Sequence, residues 1–267
     1  MAESADDIIK INDNNTDHVA HFIFGRFQPP TIGHGALIQA ISNSAGKGDA
    51  YVFVSSTQDA KKNPLSVEQK IKWLKQMFGE QYSNVKFVNT TTCPTVSEVT
   101  TTTRGCKNPI VAIYALIQAG YKNAFFYAGS DRAEGYEKTV KKCNFEGIQL
   151  EVKTVGKDRE PEPQIVGKKR GFVEQCPSNM NIETDTELEE NDISGVSGTK
   201  MRKYAVDCDT VNFTKGVINL SDNDVNELIG EIRTGLNLPG CPVTNGGKRR
   251  KTVKKRNNKK RRNTRRR

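Results

Sequence analysis

The stretch from Phe22 to His34, Phe-Ile-Phe-Gly-Arg-Phe-Gln-Pro-Pro-Thr-Ile-Gly-His, constrains the fold of this chain more than any other. It reads as a short apolar strand, a tight loop of glycine and proline, and the first turn of a helix. Such a junction directs backbone N–H groups and the positive end of a helix dipole into one small space, which suits a polyphosphate. The stretch therefore predicts a phosphate-binding loop, with Arg26, Thr31 and His34 as its first candidate side chains.

Five apolar segments that alternate with helical patterns predict an α/β fold. The predicted strands are residues 18–24, 50–54, 84–89, 124–127 and 148–155. Apolar strands without strict alternation are typical of a parallel sheet covered on both faces, and helices between consecutive strands imply βαβ crossovers. We expect a Rossmann-like, doubly wound, parallel five-stranded sheet with a C-terminal helical extension, and ligands beyond the carboxyl ends of the strands.

Local signals place several helix ends. Ser66 with Gln69, and Ser221 with Asp224, have the spacing of capping boxes, so helices are predicted from there to about residues 78 and 236. Pro109 suits the first turn of another helix. The threonine-rich residues 90–103 are interpreted as an exposed loop or a weak helix.

Charge divides the chain into a mildly acidic body and a basic tail. The net charge is +10, yet residues 242–267 hold 14 Lys or Arg and no acid. We expect a flexible acidic leader over 1–17, one domain over 18–240, and a disordered basic tail over 241–267, because like charges repel and little apolar surface is available there. Within the domain, 157–192 is interpreted as an acidic insertion or lid and 193–240 as the helical C-terminal part.

Cysteine spacing and the lack of long apolar runs indicate the compartment. The cysteines have neither Cys-x-x-Cys spacing nor a nearby histidine, so we expect free thiols in a reducing compartment and predict no metal-ligating residues. The beginning of the chain lacks the apolar core of a signal peptide, and no run approaches the roughly 20 apolar residues of a membrane helix. We expect a soluble, intracellular, cytoplasmic protein without membrane contact, the tail also allowing a nuclear or virion-associated location. The cysteines are Cys93, Cys106, Cys143, Cys176, Cys208 and Cys241.

Three turns fall where a parallel sheet would bring them together. They are residues 25–34 after the first strand, 129–132 after the fourth strand, and 197–202 at the start of a late helix. Each combines small residues with hydroxyl or basic groups. Glycine lets a backbone approach a phosphate closely, hydroxyl and N–H groups donate hydrogen bonds, and Arg or Lys neutralises charge.

These turns resemble the signatures of the nucleotidylyltransferase superfamily. The first signature, Gly-x-Phe-x-Pro-x-His-x-Gly-His, is matched by residues 25–34, and the second, Ile-Ser-x-Thr-x-x-Arg, is matched at Ser197, Thr199 and Arg202. Gly129-Ser-Asp131 resembles the Gly-x-Asp turn of that superfamily. Residues 55–58 and 63–66 look like archaeal-type nicotinamide-mononucleotide adenylyltransferases and uncharacterised nucleotidylyltransferases of tailed phages, and the resemblance covers about residues 18–204.

The resemblance implies in-line attack of a phosphate on the α-phosphorus of a nucleoside triphosphate, with release of pyrophosphate. Mg²⁺ would be bound mainly through the substrate phosphates, and catalysis would rest on positioning and charge stabilisation. The implied catalytic residues are His34, Thr31, Arg26 and Arg202. The implied nucleotide-binding residues are Gly25, Phe27, Gln28, Gly33, Gly129, Asp131, Ser197, Thr199 and Lys200.

Two positions carry alternative interpretations. Thr31 stands where the first signature has a histidine, and a threonine can donate a hydrogen bond but cannot carry charge, which bears on the rate of turnover. Asp131 either contacts a ribose or the second substrate, or only caps the helix that follows it.

The choice of substrates stays open at this level. The resemblance favours AMP transfer from ATP to a phosphorylated small-molecule acceptor such as nicotinamide mononucleotide. Cytidylyl transfer to a phospho-alcohol or phospho-sugar is the alternative, and so is a non-catalytic nucleotide-binding protein associated with nucleic acid. The basic residues 248–267 predict binding of nucleic acid or another polyanion, and a homo-oligomer is compatible with the sequence.

Overall fold

The computed structural model describes residues 9–92, 109–143, 145–156 and 197–242. The strands are β1 (Val19–Gly25), β2 (Asp49–Val54), β3 (Val85–Asn89), β4 (Asn123–Gly129) and β5 (Gln149–Val155). The helices are α1 (Ile32–Ala45), α2 (Val67–Leu74), α3 (Pro109–Gln118), α4 (Ser130–Cys143), α5 (Gly198–Val206), α6 (Thr210–Thr214) and α7 (Asp222–Gly235). A π-helical turn, Lys75–Gly79, continues α2, and a 3₁₀ turn, Thr90–Thr92, follows β3.

The five strands form one parallel sheet in the order β3-β2-β1-β4-β5. The chain first winds outwards from β1 through β2 to β3, and then returns to the other side of β1 for β4 and β5. This confirms the predicted doubly wound, Rossmann-like α/β fold. The order reverses between β1 and β4, the place where such sheets form a crevice.

Helices cover both faces of the sheet. Ile38 of α1 and Val52 of β2 belong to the buried cluster that includes α1 and α2. Leu116 of α3 belongs to the opposite cluster with Phe22 and Phe126, whose rings stack with centroids 4.7 Å apart. Burial of both faces explains why the strand sequences are apolar without alternation.

The C-terminal helices α5, α6 and α7 pack against α2 in a third buried cluster. Trp73 of α2 and Leu228 of α7 are fully buried in it, and the Trp73 indole N–H donates to Glu231 of α7 at 2.6 Å. A Cβ on Gly235 would lie 2.1 Å from the carbonyl oxygen of Pro64, so only glycine fits where α7 meets the loop before α2. The predicted helical extension is therefore packed on the sheet domain.

Both predicted capping boxes are present. The Ser66 N–H donates to the Gln69 side chain at 2.9 Å, and the Gln69 N–H donates to the Ser66 hydroxyl at 3.3 Å. At α7, the Ser221 N–H donates to Asp224 at 2.9 Å, and the Asp224 N–H donates to the Ser221 hydroxyl at 3.3 Å. Reciprocal bonds of this kind satisfy two of the N–H groups that a helix start leaves unpaired.

The leader differs from the expectation over the residues that the structure describes. Ile9 and Ile11 pack against the cluster that includes α3 and α4. Asn15 is buried, and its side-chain amide donates to Asp49 at 2.7 Å, a carboxylate that also accepts a hydrogen bond from Tyr121 at 2.9 Å. The prediction of a loose leader is wrong for residues 9–17, because two isoleucines and a network of polar side chains attach them to the sheet.

A disulfide joins Cys208 to Cys241. The expectation of free thiols is wrong for this pair, because the end of α5 and the segment after α7 pack side by side and bring the two Cα atoms to 5.7 Å. Cys241, expected at the start of the basic tail, belongs to the third cluster.

Other differences are local. Residues 129–132 do not form a separate turn, since β4 runs to Gly129 and α4 begins at Ser130. Helix α6 was not predicted. Thr90 of the threonine-rich segment is buried, whereas residues 93–108 lie outside the described part of the chain. The predicted acidic insertion, 157–192, lies outside it as well, and so does the predicted basic tail from residue 243 onwards. None of the described helices has the length and apolar character needed to cross a membrane.

Candidate nucleotide site

A cleft opens where the two central strands stop pairing. The β1–β4 ladder ends at Phe22 and Phe126, although the strands continue to Gly25 and Gly129. The cleft has a volume of about 560 Å³, including its open mouth, and lies beyond that ladder. It occupies the position at which the strand order reverses. Its walls comprise Ile23, Phe24, Gly25, Phe27, His34, Leu37, Tyr127, Ala128, Gly129, Asp131, Arg132 and Tyr136.

The floor of the cleft depends on glycine at position 25. Phe27 follows in a left-handed conformation, with φ of 49°, and turns its ring back over the end of β1. A Cβ on Gly25 would lie 2.7 Å from Cζ of that ring, far inside van der Waals contact. Phe27 is 1% exposed, so the ring has little room to move away. Steric fit therefore explains the first glycine of the predicted signature.

His34 lies in the first turn of α1 and is held by the residue that begins the helix. The Thr31 N–H donates to Nδ1 of His34 at 2.9 Å, and the Thr31 hydroxyl lies 3.0 Å from the same nitrogen. Since Nδ1 accepts the backbone N–H, the proton of the neutral ring is on Nε2. The ring of Phe27 packs beside it, with centroids 4.8 Å apart. The imidazole thus presents an N–H donor while its other nitrogen is fixed.

Thr31 is buried and contacts His34. It does not line the cleft. Thr31 therefore lies at the start of α1, where it contacts the histidine rather than the cleft. Gly33, also predicted to bind nucleotide, is buried within α1.

Gln28 joins the loop between β1 and α1 to the segment after β2. Its buried side-chain amide donates to the Leu65 carbonyl at 2.8 Å and accepts from the Leu65 N–H at 2.9 Å. A weaker bond reaches the Thr57 carbonyl at 3.3 Å. Both ends of the amide are engaged with backbone groups, so Gln28, predicted to bind nucleotide, holds the loop in place through its side chain.

The second signature is connected to the loop by Arg202. Its guanidinium donates to the Gln28 carbonyl at 2.5 Å and to the Thr199 hydroxyl at 3.1 Å. Ser197 begins α5 and its hydroxyl accepts the Lys200 N–H at 3.1 Å. Ser197, Thr199, Lys200 and Arg202 do not line the cleft, and the Arg202–Gln28 bond places them next to the loop on its β2 side.

A buried lysine supports this side of the site and was missed from the sequence. Lys70 of α2 is fully buried and donates to the carbonyls of Ser55 at 2.5 Å and Thr57 at 3.2 Å. Burial lowers its pKa to about 7; the charge of Arg26 also lowers it, while Glu68 acts in the opposite sense. A neutral amine retains two N–H donors, which suffice for both carbonyls.

The opposite wall of the cleft is formed by the end of β4 and the start of α4. Gly129 and Asp131, both predicted nucleotide-binding residues, lie there together with Arg132, which the predicted turn 129–132 included without a role of its own, and with Tyr136, which was not predicted. Nε of Arg132 is 3.8 Å from the Asp131 carboxylate, and the guanidinium shares a hydrogen bond with the Tyr136 hydroxyl. Residues four apart on a helix are neighbours, so the contact between Arg132 and Tyr136 could have been predicted from their spacing.

Tyr127 adds an aromatic surface that the sequence analysis also missed. It lines the cleft from β4, and its hydroxyl lies 3.0 Å from Nδ1 of the buried His21 on β1. Burial, together with the charge of Lys153, lowers the pKa of His21. The histidine is therefore neutral at physiological pH and fixes the orientation of the tyrosine.

Five of the predicted site residues line the cleft: Gly25, Phe27, His34, Gly129 and Asp131. Among the described residues, no group of three or more His, Cys, Asp or Glu could hold a metal ion.

A loop and a fixed histidine between β1 and α1, beside a cleft at the reversal of strand order, are the setting in which the family match of this chain falls, and that match identifies its class as nucleotidylyltransferase. The chain belongs to the cytidylyltransferase-like family, whose model matches residues 22–204.

Similar solved structures include a putative nicotinate-nucleotide adenylyltransferase from Vibrio parahaemolyticus, 14% identical, with a TM-score of 0.42, covering 79% of this chain and 97% of that one. Another is the Plasmodium falciparum nicotinic acid mononucleotide adenylyltransferase complexed with NaAD. It is 13% identical, with a TM-score of 0.42, and the match covers 78% of this chain and 93% of that one. No curated protein sequence matches the chain.

Proposed function

We propose that this protein transfers AMP from ATP to a phosphorylated small-molecule acceptor such as nicotinamide mononucleotide and releases pyrophosphate. An oxygen of the acceptor phosphate attacks the α-phosphorus, a new P–O bond forms, and the bond to the β-phosphate breaks. The electron pair of the broken bond leaves with pyrophosphate. The attacking phosphate is already an anion, so no general base is needed.

The observation that carries this proposal is the orientation of His34 at the cleft. Thr31 engages Nδ1 through its backbone N–H at 2.9 Å, so Nε2 carries the proton. A donor of this kind, fixed before substrate binds, can stabilise charge that develops on the α-phosphate in the transition state. The buried Thr31 hydroxyl supports the same ring at 3.0 Å, which makes a histidine at position 31 unnecessary for this role.

The start of α5 supplies partners for the β- and γ-phosphates in this proposal. Arg202 is bonded to the Gln28 carbonyl at 2.5 Å, so its charge lies beside the loop. With Arg26 and Lys200 it would neutralise the leaving pyrophosphate, and the Ser197 and Thr199 hydroxyls at the helix start would donate to it. Mg²⁺ fits this chemistry as an ion that arrives with the triphosphate, because Mg²⁺ is usually held by substrate phosphates rather than by an all-protein cage.

The stretch that favours an adenylyl donor contacts the phosphate loop directly. Residues 55–58 and 63–66 resemble archaeal-type adenylyltransferases, and this segment holds Gln28 through the Leu65 backbone. Cytidylyl transfer to a phospho-alcohol or phospho-sugar is the rival reaction. A protein that binds nucleotide without turnover is the rival from another class.

Pyrophosphate release decides between these functions. ATP and CTP are each supplied with nicotinamide mononucleotide, glycerol 3-phosphate or ribose 5-phosphate, and turnover with ATP and the mononucleotide is expected. His34→Asn should lower kcat by about 100- to 1,000-fold, the cost of losing one preorganised donor. His18→Asn, at the opposite end of β1, is the matched control and should leave kcat unchanged. Full activity of His34→Asn would refute the mechanism, and saturable ATP binding without turnover would favour the non-catalytic rival.

The basic tail suggests a second function, binding of a polyanion such as nucleic acid. Its 14 Lys or Arg without an acid motivate the proposal. A salt titration of RNA and DNA binding compares the full chain with a chain ending at Pro242, which keeps the disulfide to Cys241. Weaker binding and a smaller salt slope are expected for the shortened chain, because fewer counterions are released. Equal affinities would refute this role.

A further inference from the structure

Arg132 lies on the β4–α4 wall of the cleft that His34 also lines, and the proposed mechanism gives it no role. Its side chain is 18% exposed, so the guanidinium is largely enclosed yet borders the cleft. Asp131 lies 3.8 Å from Nε, and Tyr136 shares a hydrogen bond with the guanidinium one helical turn away. The planar fork of an arginine held in this way suits bidentate binding of a phosphate.

Two arginines and one carboxylate, that of Asp131, act on the Tyr136 hydroxyl. Burial raises the pKa of this phenol, and the charges of Arg132 and Arg26 act in the opposite sense. The phenol therefore stays neutral at physiological pH and can accept an N–H bond from the guanidinium. Because the two arginines outnumber the Asp131 carboxylate, this wall keeps a net positive charge that attracts an anion.

Arg202 and Arg132 are associated with different neighbours of β1, while Arg26 directly follows β1 itself and lies between them. Arg202 is attached to the loop on the β2 side, through the Gln28 carbonyl, and Gln28 is itself bonded to Leu65. Arg132 follows β4, the neighbour of β1 on its other side. Two phosphorylated substrates that meet over His34 would each find cations on their own side.

We infer that Arg132 binds the phosphate monoester of the acceptor, with Tyr136 as a positioning residue for its guanidinium. This inference rests on the proposed function. The Asp131 carboxylate beside Arg132 disfavours a highly charged triphosphate more than a monoester, because it repels each additional negative charge. It can also accept a hydrogen bond from a sugar hydroxyl next to the phosphate, which fits a mononucleotide or a phospho-sugar better than a simple phospho-alcohol.

Steady-state pyrophosphate release tests the assignment with Arg132→Ala, Arg132→Lys and Tyr136→Phe. Arg132→Ala should raise the KM for nicotinamide mononucleotide by about 10- to 100-fold, as expected for the loss of charge-assisted hydrogen bonds, and leave the KM for ATP within about 2-fold. Arg132→Lys should raise the KM for nicotinamide mononucleotide less than Arg132→Ala does, because lysine keeps the positive charge. Tyr136→Phe should raise the same KM by about 3- to 10-fold, in line with one lost neutral hydrogen bond. Lys138→Ala, on the exposed face of α4, is the control and should change neither value.

A substrate without the phosphate separates binding from folding. Nicotinamide riboside, used as a competitive inhibitor, should bind wild type and Arg132→Ala equally, whereas a variant with a distorted cleft would lose affinity for both ligands. An increase in the KM for ATP instead of the acceptor would overturn the inference while the proposed function stands. If wild type releases no pyrophosphate with any acceptor, the proposed function fails. The inference is then judged by equilibrium binding of nicotinamide mononucleotide, and equal affinities of wild type and Arg132→Ala would overturn it.

Discussion

Replacing both partners of the Cys208–Cys241 disulfide should destabilise the protein markedly. The two cysteines are 33 residues apart, and closing a loop of that length lowers the conformational entropy of the unfolded chain. The chain-entropy relation gives about 3.7 kcal/mol at 25 °C. For a domain of this size that corresponds to a fall in Tm of about 7 to 15 °C.

Thermal unfolding of Cys208→Ser/Cys241→Ser under oxidising conditions measures this effect. The double variant is more informative than reductant alone, because a reductant acts on every disulfide of a chain. Cys143→Ser, at the end of α4, is the matched cysteine replacement and should lose much less. Equal Tm values for wild type and the double variant would refute the reasoning, as would alkylation of both thiols in untreated protein.

Three further predictions concern pH and steric fit. Burial lowers the pKa of Lys70 to about 7, so between about pH 7 and 10.5 the unfolded chain binds one proton more than the folded chain. The free energy of unfolding should therefore rise with pH over that range. Lys70→Met should remove this pH dependence, as measured by urea unfolding. Burial of Asp49 opposes its ionisation, but hydrogen bonds outweigh burial and lower its pKa. Its contribution should be present above about pH 4 and lost on acidification, and Asp49→Asn should flatten acid unfolding. Gly25→Ala should cost about 1 to 3 kcal/mol and reduce ATP binding, since its Cβ meets the Phe27 ring, whereas Gly230→Ala, with open space around it, should be neutral or stabilising.

Each of these has a contrary outcome. An unchanged pH slope in Lys70→Met would mean that the buried amine stays charged. Acid unfolding that is identical in wild type and Asp49→Asn would contradict the proposed role of that carboxylate. Equal free energies of unfolding for Gly25→Ala and Gly230→Ala would show that the loop after β1 adjusts to the added Cβ without cost.

The fold could be predicted because its signals are local. Strand periodicity, the capping residues Ser66 and Ser221, and the glycine-rich loop after β1 each act over a few residues. The structure places the corresponding elements within one or two residues of the predicted bounds when the π-helical turn Lys75–Gly79 is counted with α2. Helices that connect parallel strands favour a doubly wound sheet, whereas the order in which the strands pair was not predicted. Local pattern and global fold agree here, as expected for a foldable sequence.

Contacts between distant segments could not be predicted from the sequence. Gln28 was predicted to bind nucleotide, and nothing in its local sequence showed that its amide bonds the backbone of Leu65, 37 residues away. Arg202 reaches the loop across a separation of 174 residues. The role of Lys70 could not be predicted, because it donates to the backbone carbonyls of Ser55 and Thr57. Backbone carbonyls occur at every residue and leave no signal in the sequence. The leader was predicted to be flexible from its polar composition, and composition does not show that Ile9 and Ile11 pack against the sheet domain.

The burial of Trp73 bears on how this protein can be divided. Its ring lies in α2, a helix of the sheet domain, yet the surface that covers it belongs largely to α5, α6 and α7, and its N–H is bonded to Glu231. Gly235 continues this contact by meeting the Pro64 backbone. The helical extension is therefore not a separable module: recombination or truncation between β5 and α7 would expose a core tryptophan, and a related protein without these helices would need a different residue at position 73.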